Sequence, residues 1–74
     1  MKHNSIYYFV QSLNSEGETN TICHSKDEET EELYYRFFDK KKAVALMEAE
    51  RKVSPEYTYR VVKITETFEA ENFH

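Results

Sequence analysis

Apolar residues recur at the three-and-four spacing of a helix in only one long stretch of this chain. Ala43, Leu46, Met47 and Val53, with Glu50 among them, fall on one face of the run Asp39 to Val53, which is built mostly from good helix formers. The spacing predicts a single amphipathic helix laid against something. Asp39 is placed to cap the first turn, and Pro55 pushes Ser54 out of the α region, so Ser54 is the expected stop.

Elsewhere the pattern alternates or fills both faces. Ser5 to Leu13 is dense in β-branched and aromatic residues, with Ile6, Tyr8 and Val10 on one side and Tyr7, Phe9 and Leu13 on the other. Apolar residues on both sides predict a central strand. Asn14 to Glu18 holds the only glycine, Gly17, which suits the left-handed position of a hairpin loop, so Thr19 to Ser25 is the expected returning strand. Lys26 to Glu32 has no apolar residue; it reads as an acidic loop, with one helical turn as the alternative because Ser25 and Glu28 match a capping box.

Leu33 to Phe38 is strongly β-prone and is either a third strand or a continuation of the second after a bulge. Glu56 to Glu69 reads as a long strand, and Ala70 to His74 as a frayed tail. The expected fold is α+β: a small antiparallel sheet of three to four strands with one amphipathic helix packed on one face, in the order β-β-(β)-α-β. Without a repeat, linker or low-complexity tract, residues 1–74 form a single domain.

Composition sharpens this picture at one point. Aromatic residues make up 15% of 74 residues, as six Tyr and five Phe without Trp. A ring can bury about 150–250 Å², and one short helix cannot cover so many. If the helix shields one face, the alternate set drawn from Tyr7, Phe9, Tyr35, Phe37, Tyr57, Tyr59 and Val61 is left to solvent or to a partner. Tyrosine is enriched at interfaces, which favours a binding role, and a two-fold homodimer through this patch is one way to cover it.

The order of elements resembles that of small bacteriophage-encoded proteins of the ββαβ type. The resemblance rests on the Tyr7-Tyr-Phe-Val10 strand, the Phe37-Phe-Asp39 lead into a helix that is alanine-rich from Ala43, and Tyr57-Thr-Tyr-Arg-Val-Val-Lys-Ile64 after a proline. It implies a viral counter-defence or host-interaction role, in which an inhibitor or modulator binds and blocks a host protein. No residue role is carried over from it.

Charge and single residues narrow the chemistry. A net charge of −4 argues against nucleic acid as the main partner, and Cys23, being alone, excludes an intramolecular disulfide. No apolar run approaches the ~20 residues that span a bilayer, and Met1 to Ile6 lack the apolar core of a signal peptide. The expected location is therefore cytoplasmic, that of the host cell for a phage protein. Cys23 and His24 are neighbours on a strand and point to opposite faces, so they cannot share a metal. With no phosphate loop, nucleophile elbow or metal motif, neither enzyme nor cofactor is expected.

Two charged groups remain as candidates. Asp27, Glu28, Glu29, Glu31 and Glu32 form a carboxylate array, either a solvated loop or, with Tyr7, Phe9, Tyr35, Tyr57 and Tyr59, part of a protein-binding surface; phosphate mimicry is the sharper version. Lys40, Lys41 and Lys42 crowd the first helical turn, where cations oppose the helix dipole. A solvated basic patch is the simpler reading. The alternative is that these lysines, with Arg36 and Arg60, hold a small anionic ligand such as a nucleotide, making the protein a sponge or sensor.

Overall fold

A computed structural model describes the backbone of residues 2–69 and side-chain surroundings from 4 to 67. The chain runs β1 (Lys2–Leu13), β2 (Thr19–Ile22), β3 (Ser25–Lys26), β4 (Leu33–Tyr34), α1 (Lys40–Val53) and β5 (Thr58–Glu69). β1 is the centre of a three-stranded antiparallel sheet of order β2-β1-β5, and β3 and β4 form a separate two-stranded hairpin. Among the described residues the fold is α+β with one helix, as expected. The frayed tail expected for Ala70 to His74 lies outside the described residues.

Turn chemistry accounts for the hairpin between β1 and β2. The Asn14 Oδ1 accepts from the Glu16 and Glu18 N–H groups, each at 3.0 Å, and the Asn14 carbonyl accepts from the Gly17 N–H, also at 3.0 Å. Gly17 sits at φ +80°, in the left-handed region that L side chains rarely adopt. A bulge between Ser12 and Leu13 then shifts the register to Leu13 against Thr19.

The acidic run is the loop of the β3–β4 hairpin and holds one uncontinued helical turn, closed by the Glu31 N–H on the Asp27 carbonyl and capped by Asp27 in place of the expected Ser25. Asp27 organises it: its Oδ1 accepts from the Glu29 N–H at 2.8 Å and the Thr30 N–H at 2.9 Å, and its carbonyl accepts from the Glu31 N–H at 2.9 Å. Glu31 takes φ +61°, a left-handed conformation uncommon for a residue other than glycine. Leu33 to Phe38 divides. Its first two residues pair in the hairpin, and Phe37 returns to β1 in a two-hydrogen-bond bridge with Tyr8 at 2.8 Å each way.

The helix begins and ends where its flanking chemistry dictates. Asp39 caps it by accepting from the Lys41 N–H at 2.9 Å, and the Ser54 N–H closes the last turn on the Glu50 carbonyl at 2.8 Å. Ala43 is fully buried, while Leu46 and Met47 pack against a core of Val10, Cys23, Phe37 and Tyr59. Val53 leaves the apolar stripe: it is 78% exposed at the last residue of the helix.

The molecule is elongated, with a radius of gyration of 15.6 Å and extents of 55 × 34 × 18 Å. A globular chain of this length would have a radius of about 11 Å. The excess comes from β1 and β5, which pair over twelve residues each, from Lys2 against Glu69 to Leu13 against Thr58. Such strands span ~40 Å. A short helix covers part of one side of them.

Candidate interaction face

The β1–β5 register decides which side chains share a side. Val10 pairs with Val61, Ser12 with Tyr59, Tyr7 with Ile64 and Phe9 with Val62, so even-numbered residues of β1 stand beside odd-numbered residues of β5. The aromatic set expected on one open face is therefore divided. Phe37, Tyr57, Tyr59 and Val61 lie on the helix side with Val10 and Tyr8, and Tyr59, 8% exposed, donates its hydroxyl to the Ser54 carbonyl at 2.8 Å. The expectation that Tyr57 and Tyr59 join Tyr7 and Phe9 in one patch is corrected accordingly.

The opposite side carries Tyr7, Phe9, Leu13, Ile22, Val62 and Ile64, with Gln11 and Arg60 between them. Most are half-buried, and among the described residues no helix crosses them. Irregular chain on either side of the hairpin reaches over one end. The Tyr35 ring meets Phe9 edge-on at 6.5 Å between centroids and meets His24 at 5.6 Å. The Arg36 guanidinium lies 4.8 Å from the Tyr7 ring centroid and 5.5 Å from that of Tyr35, and its Nε donates to the Tyr35 hydroxyl at 3.2 Å.

Beneath this cover Tyr7 is 8% exposed and donates to the Glu66 carboxylate at 3.3 Å. Burial first, then the Glu66 charge, pushes its phenol above the ordinary value, so the hydroxyl stays a donor. Arg60 on the same face donates from Nε to the Gln11 carboxamide at 2.7 Å. The face thus offers an apolar floor of rings and β-branched residues, framed by the Arg36 and Arg60 guanidinium groups.

The five cations expected to hold an anion do not converge. Arg36 and Arg60 belong to the open face, whereas Lys40, Lys41 and Lys42 start the helix on the other side and are exposed. The Asp39 carboxylate already takes the Lys41 N–H, placing a negative charge where an anion would bind. The sheet separates the two groups.

The carboxylates differ among themselves. Asp27 is occupied by the Thr30 and Glu29 amides, which hold its pKa below the ordinary range, while Glu28, Glu29, Glu31 and Glu32 are exposed at the hairpin loop. Residues not singled out from sequence join the surface here. Leu33 and Phe38, 68% and 76% exposed, flank the acidic loop and the start of the helix, and Ile22, Val62 and Ile64 extend the apolar floor. Strand alternation alone was the available signal for the floor, and it needed the register to be read.

An open depression of about 320 Å³ lies at the helix C-terminus between Arg51, Pro55, Tyr57, Thr58 and Tyr59. Its lining residues include no histidine, cysteine or carboxylate. Among the described residues no group of three His, Cys, Asp or Glu is placed to hold a metal, and no helix is long and apolar enough to cross a membrane.

The fold and this face define a small α+β protein with a helix on one side of its sheet and an aromatic surface on the other. Comparison with protein-family models, curated proteins and solved structures finds no match.

Proposed function

We propose that the protein is a binding protein that docks a protein partner on the sheet face opposite its helix. One observation carries this reading: the half-buried apolar residues Phe9, Leu13, Ile22, Val62 and Ile64 share one face, with Gln11 and Arg60 between them, and among the described residues no helix or strand packs across them. Isolated apolar residues on a surface are ordinary, but a strip that runs across three strands is the composition of an interface centre. Arg36 and Tyr35 at its margin are residue types that concentrate binding energy, and both are held in place by their mutual hydrogen bond. The exposed Glu28, Glu29, Glu31 and Glu32 add a negative rim suited to a partner with basic residues beside an apolar patch. In the phage setting that the sequence resembles, the partner is a host protein and binding blocks it.

The test is affinity capture from a bacterial host lysate with three tagged proteins: wild type, Phe9→Ser on the open face, and Ala45→Ser on the exposed side of the helix. A partner retained by wild type and Ala45→Ser but lost by a natively folded Phe9→Ser supports the reading. Equal retention by all three, or no partner above background, overturns it.

A further inference from the structure

The outer edge of β5 is the longest free backbone in the sheet. β5 is a terminal strand, and among the described residues no strand pairs with its second edge over the whole of Thr58–Glu69. A row of unpaired N–H and C=O groups of this length is a template for another strand.

The hydrogen bonds of β1 reveal which groups of β5 point outward. In an antiparallel ladder a residue directs its N–H and C=O to the same neighbour. Tyr8 gives both to Phe37, and the Val10 carbonyl accepts from the Cys23 N–H at 2.8 Å. Tyr8 and Val10 are therefore not hydrogen-bonded to their β5 partners Lys63 and Val61. It follows that Val61, Lys63 and Thr65 aim their N–H and C=O groups at the free edge, while Arg60, Val62, Ile64 and Glu66 bond inward to β1.

We propose that the protein forms a two-fold dimer by antiparallel pairing of β5 with β5 of a second copy, centred on Lys63, giving one continuous six-stranded sheet. A two-fold axis through the sheet must pair residues of the same face, which leaves only registers centred on a residue. Centring on Lys63 sets Arg60 of each copy opposite Glu66 of the other and Val62 opposite Ile64. It also matches the outward groups of Val61 with those of Thr65 and makes Lys63 bond to its own copy.

Centring one residue earlier sets Arg60 against Ile64 and Glu66 against Thr58, and centring one later sets Val62 against Glu66. Only the Lys63 register pairs both charges that β5 carries on the open face, Arg60 and Glu66, with their opposites. Those pairs also occupy the non-hydrogen-bonded positions, where facing side chains come closest.

Both charges are available for this. Arg60 uses Nε on Gln11, leaving its terminal nitrogens, and Glu66 accepts from Tyr7 through one oxygen only. The like charges of the two Lys63 side chains meet at the axis in the wider, hydrogen-bonded position, on the helix side, and oppose the dimer. The second copy is favoured over an unrelated strand because the charge complementarity lies within this strand itself. This dimer pairs backbone edges and joins the two open faces side by side without covering them, so it stands independently of the partner reading above.

The experiment is sedimentation equilibrium of the full chain over micromolar to millimolar concentration, with circular dichroism to confirm folding. Wild type is expected to dimerise. Arg60→Glu should weaken the dimer by roughly tenfold or more, because two attractive pairs become repulsive, and Arg60→Glu combined with Glu66→Arg should restore it. Lys63→Thr should tighten it. Hydrogen exchange supplies the backbone readout: the Val61, Lys63 and Thr65 amides should become protected only in the dimer. A wild type that is monomeric throughout, a dimer that ignores the charge reversal, or a dimer in which those amides stay unprotected overturns the proposal.

Discussion

The two faces of the β1–β5 sheet are built from similar residues and behave differently. Under the helix, Val10 and Ala43 are fully buried, and the Tyr59 hydroxyl, brought inside, is bonded to a backbone carbonyl. On the other face Phe9 and Tyr35 stay half-buried, and Tyr7, although 8% exposed, is covered by the Arg36 guanidinium, with no helix packed above it among the described residues. Apolar area is thus present on both sides, yet only the helix side has the close contacts that turn it into a core. An exposed cation over a ring contributes about 0.5–1 kcal/mol, whereas full burial of a large apolar side chain contributes about 1.5–3 kcal/mol. Stability resides on the covered face, and the open face remains available for other surfaces.

The sharpest way to break this comparison is to remove Tyr59. Tyr59→Ala should destabilise the fold by about 3–5 kcal/mol, the range for a buried ring. A charged residue at this position would unfold the chain, so Tyr59 cannot serve as a probe of assembly. Chemical denaturation measures the loss, and a value under ~1 kcal/mol would mean that the helix is not packed on this side.

Arg36→Gln tests the open face with a smaller expected effect. It should cost about 0.5–1 kcal/mol by removing the cation from the Tyr7 and Tyr35 rings, and it should increase the solvent accessibility of both phenols. Denaturation and tyrosine quenching check the two parts. A loss as large as that of Tyr59→Ala would show that this face also carries core energy.

The smallest effect concerns the hairpin loop and pH. The Thr30 and Glu29 amides favour the Asp27 carboxylate, so its folded pKa lies below the ordinary 3.8. A depressed carboxyl contributes stability that is present above 3.8 and disappears as the pH falls through the folded value. On acidification, the amide resonances of Thr30 and Glu29 should therefore move at a pH below 3.8, ahead of any change in the helix. Asp27 titrating at or above its ordinary value would show that the loop is not organised in this way.

Local chemistry was legible in the sequence because each signal acts over a few residues. The Asp39 cap, the Ser54 stop before Pro55, the left-handed Gly17 and the strand from Thr58 onward all follow from side-chain and backbone preferences that need no distant partner. The division of Leu33 to Phe38 was only half legible, since two of its residues pair locally whereas Phe37 finds Tyr8 across the fold.

Tertiary structure alone decided which rings share a face. Alternation tells which residues of one strand stand together, but it does not say which set of a second strand joins them; that depends on whether the pairing aligns odd with odd or odd with even. Here Tyr7 meets Ile64 and Ser12 meets Tyr59. The same register sends Tyr59 and Val61 under the helix, keeps Arg60 with Phe9, and parts Arg60 from the lysines of the helix start. A strand's own sequence holds its period of two, while its phase against a neighbour is set only when the chain between them, forty-four residues from Leu13 to Thr58, has folded and closed the loop.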